Sequence, residues 1–125
     1  MTPEEVLQNH ARNRGHKNNS LSDQVAEFLK QPNTYQLQEN NCVFLVQASG
    51  TSAHVYIMNG GSPNDYMRAL KMFVDKMRDH GIKHLTMRVT DKVMSGRIAQ
   101  SVGVNSVSYK DVGGKVDPYL MKMEL

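Results

Sequence analysis

Apolar and polar residues change their period several times along the chain, and each change marks an element. Tyr35 and Leu37 alternate with Gln36 and Gln38, Cys42-Val43-Phe44-Leu45-Val46 is one apolar run, and residues 53–58 return to alternation. Asn40-Asn41 and Ser49-Gly50-Thr51 separate these runs and tolerate the positive φ of tight turns. Residues 35–39, 42–48 and 53–58 are therefore expected to form an antiparallel meander. The period then lengthens. Ser62-Pro63-Asn64-Asp65 offers a capping hydroxyl, a proline at the first helical position and an acid three residues after the cap. Tyr66, Met67, Leu70, Phe73, Val74 and Met77 follow on one side of a helix reaching His80, and Gly81 stops it. Leu85-Thr86-Met87-Arg88-Val89 reads as a strand. Asp91 then caps a helix with Val93, Met94, Ile98 and Val102 inward, and Gly103 ends it. Val107 and Tyr109 alternate outward to Val112, Gly113-Gly114 turns, and residues 116–125 close the sheet as a hairpin.

Two helices precede the strands. Thr2-Pro3-Glu4-Glu5 starts the first, over residues 3–11. Ser22 caps the second, over residues 23–30, with Val25, Phe28 and Leu29 as its apolar stripe and Pro32-Asn33 at its end. Residues 10–19 between them are basic and poor in apolar side chains, which predicts a solvated loop. The helix between the third and fourth strands requires those two to be parallel, because a crossover of that length joins parallel neighbours. The expected class is α/β, in the order α-α-β-β-β-α-β-α-β-β, with a mixed sheet. One domain spans 1–125, with an N-terminal helix and basic loop over 1–21 and a core over 22–125.

The 125 residues can bury one core, and 39% hydrophobic with 22% charged residues is ordinary for a globular chain. The single cysteine, Cys42, opens an apolar run and reads as a buried inert thiol in a reducing compartment. Nine methionines with no tryptophan read as adaptable core filling. No segment resembles a signal peptide or a membrane span, so the expected location is the cytoplasm, or wherever a partner carries the chain. The formal charge of +3 tolerates anionic partners without demanding nucleic acid. The Arg12, Arg14, His16 and Lys17 cluster could touch nucleic acid or an acidic protein surface. It has no interleaved aromatic for base stacking, and a solvated loop explains it equally. His10, His16, His54, His80 and His84 show no metal-ligand spacing, so no metal is expected. No Walker loop, nucleophile elbow or dinucleotide fingerprint is present.

Candidate chemistry centres on the strand-to-helix turn Met58-Asn59-Gly60-Gly61-Ser62-Pro63. Backbone N–H groups at a helix start can hold an anion. A plain tight turn into a capped helix accounts for the same residues. On the strand before this turn, residues 53–58, His54 is the only base that titrates close to neutral pH, and a structural strand histidine fits it as well.

The element order, together with Arg97-Ile98-Ala99-Gln100-Ser101-Val102-Gly103-Val104, resembles the GNAT (Gcn5-related N-acetyltransferase) fold without its usual first strand. Small proteins of this shape occur among bacteriophage proteins, some lacking catalytic residues, and the chain resembles that group. The resemblance implies acetyl-CoA between the fourth and fifth strands of the family, with its pyrophosphate on the segment holding Met58, Asn59, Gly60, Gly61, Ser62 and Asn64. Departures from the family are plain. Gly60 and Gly61 are adjacent with no Arg or Gln before them, Pro63 removes a donor, and Asp65 brings negative charge to the first turn. The family's tyrosine acid falls on Ala99, and its strand carboxylate is absent, leaving His54 and Tyr56 as the resemblance's catalytic candidates. Two readings follow from the resemblance: a binding or structural module with a degenerate acetyl-CoA site, such as a phage accessory or virion-associated protein, or a small N-acyltransferase moving acetyl to an amine. The missing first strand also leaves an edge at residues 35–39, which predicts cover by the N-terminal segment, self-association or a protein partner.

Overall fold

The computed structural model describes residues 2–13 and 20–125. The elements run α1 (Pro3–Asn13), α2 (Ser20–Leu29), β1 (Thr34–Glu39), β2 (Cys42–Ser49), β3 (Ser52–Asn59), α3 (Pro63–Asp79), β4 (His84–Val89), α4 (Lys92–Ser101), β5 (Ser106–Asp111) and β6 (Tyr119–Glu124). This is the expected α-α-β-β-β-α-β-α-β-β order. One six-stranded mixed sheet results, with strands in the order β1-β2-β3-β4-β6-β5. Among the described strands only β3 and β4 are parallel; the other pairs are antiparallel.

Local chemistry accounts for the joints. Asn40 takes φ 53° between β1 and β2, and Gly50 takes φ 60° between β2 and β3. Ser62 and Asp65 form a full capping box at the start of α3. Asp91 accepts the Met94 N–H to cap α4. Gly81 and Gly103, at φ 82° and 83°, follow the two helix ends in the left-handed region.

Alternation along the strands divides the core in two. Phe44, Val46, Val55, Leu85, Met87, Met121 and Met123 face α3 and α4, where they meet Leu70, Phe73, Val74, Met77, Ala99 and Val102. Phe44 and Phe73 stack with centroids 4.3 Å apart. On the other face, Val43, Leu45 and Met58 meet Val6 and Leu7 of α1 and Val25 of α2. Five of the methionines, at positions 58, 77, 87, 121 and 123, are buried in these clusters.

Four expectations need correction. α1 continues to Asn13, so residues 10–13 are helical; residues 14–19 of the basic stretch, with Arg14, His16 and Lys17, lie outside the described residues. α2 starts at Ser20, which places Ser22 inside the helix; Leu21, in the added turn, packs partly buried on the Val6 cluster. β6 starts at Tyr119 and not at 116, because residues 112–118 form a loop held by Arg88 of β4 and by Thr90 just beyond it. Val93 and Met94 are 65% and 57% exposed, because the core contacts of α4 come from Ile98, Ala99 and Val102. Among the described residues, no helix is long and apolar enough to cross a membrane.

Candidate functional site

The site follows from how β3 and β4 part. They pair only at Ser52 with His84, Ala53 with Leu85, and His54 with Thr86. β3 stays on β2 as far as Asn59 opposite Cys42, and β4 stays on β6 as far as Val89 opposite Tyr119. Each strand keeps its outer partner while losing the inner one, which opens a wedge through the sheet. A cleft of about 670 Å³ occupies the wedge. Its walls are Leu45, Val55, Tyr56, Ile57 and Met58 on one side and Met87, Arg88, Val89, Met94, Ser95 and Ile98 on the other. Phe28 of α2 and Tyr66 of α3 also line it. The lining is mostly apolar, with His10, Gln24, Asn59, Thr90, Asp91 and Asp117 as polar members beside Arg88 and Ser95.

His54 sits where the strands still touch. Its Nδ1 is 2.7 Å from the Thr86 hydroxyl, and it is outside the residues that line the cleft. Burial first and the Arg88 charge second hold its pKa below the ordinary value, so the ring is neutral at pH 7. Tyr56 does line the cleft and is 48% exposed. Its ring meets Phe28 edge-on at 5.5 Å and His54 at 4.9 Å. Ala99 is fully buried and offers no hydroxyl. Burial, and then the neighbouring Cys42, push the Tyr66 hydroxyl up to about 12. Cys42 is itself pushed up to about 12, by burial and then by Asp65, and its Sγ donates to Asn59 Oδ1 at 3.3 Å.

The turn from β3 to α3 is engaged at nearly every donor. Asn59 N donates to His10 Nδ1 at 3.3 Å, Gly60 N to the Asn41 carbonyl at 2.8 Å, and Gly61 N to Asn59 Oδ1 at 2.9 Å. Ser62 N donates to Asp65 Oδ2 at 2.9 Å, and Asp65 N returns to Ser62 Oγ at 3.2 Å. Asn40 and Asn41 add their side-chain amides to the same carboxylate at 2.9 and 3.3 Å. The Ser62 backbone bond, then these amides, hold Asp65 down at about 2. α1 lies directly on the turn: Asn9 donates to the Gly60 carbonyl, and Gly60 is buried against Val6. Asn64 is exposed in the first turn of α3. Of the sequence candidates, Tyr56, Met58 and Asn59 reach the cleft, whereas Gly60, Gly61, Ser62 and Asn64 stand outside its lining.

Sequence reasoning missed the cleft's other edge. Arg88 donates through Nε to the Asp117 carbonyl at 2.8 Å and through Nη2 to the Gly113 carbonyl at 2.7 Å. Thr90 Oγ1 donates toward the Val116 carbonyl at 2.8 Å and Asp117 Oδ1 at 2.6 Å. These side chains hold the β5–β6 loop beside the cleft; polar residues ending a strand were the only signal. Among the described residues, no group of three or more His, Cys, Asp and Glu could hold a metal ion.

The sequence matches no protein-family model and none of the curated proteins. Solved structures do match. A ribosomal-protein-S18-alanine N-acetyltransferase from Escherichia coli superposes over 98% of this chain and 86% of its own, with TM-score 0.58 at 12% identity. A Bacillus subtilis acetyltransferase in complex with CoA covers 82% and 83%, with TM-score 0.53 at 10% identity. An IAA acetyltransferase from Bacillus cereus covers 82% and 84%, with TM-score 0.50 at 15% identity. Element order, the parallel β3–β4 pair with its wedge, and these superpositions agree: the chain has the GNAT acetyltransferase fold.

Proposed function

We propose that the chain is a GNAT-shaped binding or structural module whose acetyl-CoA site is degenerate. One observation carries this reading: the N–H groups of Asn59, Gly60, Gly61, Ser62 and Asp65 already donate to acceptors of the protein itself. A diphosphate would have to displace the Asp65 carboxylate, which is fixed at the helix start and ionised at neutral pH. It would also meet α1, which lies on Gly60. The residues present therefore do not fit the diphosphate of acetyl-CoA. The largely apolar cleft remains, and it suits a small uncharged ligand or an apolar side chain of a partner.

The second reading, an N-acyltransferase moving acetyl from acetyl-CoA to an amine with His54 or Tyr56 assisting, is favoured by the wedge itself. That opening has the size of a ligand site, and one similar structure was solved with CoA. Thermal-shift titration separates the two. A ligand at one hundred times its Kd stabilises a fold by about 2.7 kcal/mol, so acetyl-CoA binding would be visible as a rise in Tm. The module reading predicts no shift at millimolar acetyl-CoA.

A further inference from the structure

The two outer strands of the sheet meet solvent differently. β5 carries Lys110 and Asp111, the kind of edge charge that opposes strand addition. β1 has a single charge, Glu39; that carboxylate is 5% exposed and paired with Lys76 of α3. β1 also has no lysine or proline, and its register with β2 runs without a bulge from Thr34 opposite Gln47 to Glu39 opposite Cys42. Among the described residues, β1 therefore lacks the lysine, proline and bulge that protect a sheet edge.

Hydrogen-bond phase shows which groups that edge presents. The Ala48 N–H donates to the Asn33 carbonyl at 3.0 Å, one step before the β1–β2 ladder. Antiparallel ladders alternate, so Tyr35 and Leu37 turn their backbone groups toward β2, while Thr34 and Gln36 turn theirs outward. Tyr35 is 40% exposed although it shares the α3 face of the sheet with Leu37.

We propose that β1 pairs with β1 of a second copy of this chain, antiparallel about a two-fold axis at Tyr35. Thr34 exchanges both backbone bonds with Gln36 of the second copy, Gln36 does the same with Thr34, and the two Tyr35 rings face each other. In the non-hydrogen-bonded pair formed at Tyr35, opposite Cα atoms approach to about 4.5 Å, close enough for the rings to cover one another. A second copy is the occupant because this arrangement is self-complementary: every opposed residue is neutral, in a chain that carries +3 overall. The charges on β5 keep the other edge from continuing the sheet, so pairing closes at a dimer and does not run on into a filament.

Sedimentation velocity across micromolar to near-millimolar concentration, combined with amide exchange, tests the pairing. Gln36→Pro removes an outward N–H and no bond to β2; Gln36→Lys brings two cations together across the axis. The expected result is a dimer for the native chain, slow exchange at Thr34 and Gln36, and monomers with native circular dichroism for both variants. A native chain that stays monomeric overturns the proposal. A dimer that survives both substitutions also overturns it. Slow exchange at Thr34 and Gln36 in a monomer does so too, since a segment of the same chain would then be the cover.

Discussion

Gly60 touches the backbone of Val6 so closely that a Cβ at position 60 would lie 2.8 Å from the Val6 Cα and 3.0 Å from its carbonyl oxygen. Both neighbours are main-chain atoms of a helix, which cannot yield without moving α1. Gly60→Ala should therefore destabilise the fold by about 1–3 kcal/mol, the usual range for overpacking. Urea denaturation would measure it. A variant as stable as the native chain would mean that α1 does not rest on this turn.

Asp65 has the opposite relation to the turn, accepting from it. Its pKa of about 2 lies below the ordinary carboxylate value near 4. The folded state therefore binds fewer protons there. Its contribution to stability is complete above pH ~4 and disappears as pH falls from there toward 2. Acid titrations should show Asp65→Asn losing less stability across that window than the native chain. Because Asp65 occupies the donors an anion would use, Asp65→Ala should also bind pyrophosphate more tightly than the native chain does.

His54 titrates in the direction that burial dictates. Its folded-state pKa lies below the unfolded value near 6.5, so the stability it contributes is present above that pH and is lost as pH falls below it. The ring's NMR titration should have a midpoint under 6.5. A midpoint above 6.5 would point to a buried carboxylate partner, which the described surroundings do not contain.

Cys42 is fully buried, and its thiol is raised to about 12. The thiolate is the reactive form, so the native protein should resist an aromatic disulfide reagent and react only on unfolding. Rapid labelling of the folded chain would mean that the β2–β3 region opens readily.

Much of the fold was legible because its joints are written in local chemistry. Gly81 and Gly103 stand at the left-handed positions expected of them, Asn40 and Gly50 take positive φ within the expected turns, and Ser62 with Asp65 forms the expected box. The site was less legible because it depends on contacts far apart in sequence. Periodicity revealed the parallel pair but not that it ends at His54 and Thr86, which is what opens the wedge. Neither could α1 be placed on Gly60: Val6 and Gly60 are joined by packing alone. Val93 and Met94 followed the helical period and still stay largely exposed, Met94 on the open cleft wall, because a stripe shows which side a residue takes but not how far the sheet reaches beneath it.

Isothermal titration of the native chain with acetyl-CoA is the most direct check on the self-satisfied turn. Heats of dilution only, at millimolar ligand, are the predicted result. A saturable one-to-one isotherm that weakens with added salt would mean the turn releases its N–H groups to a diphosphate, and the module reading would give way to the acyltransferase.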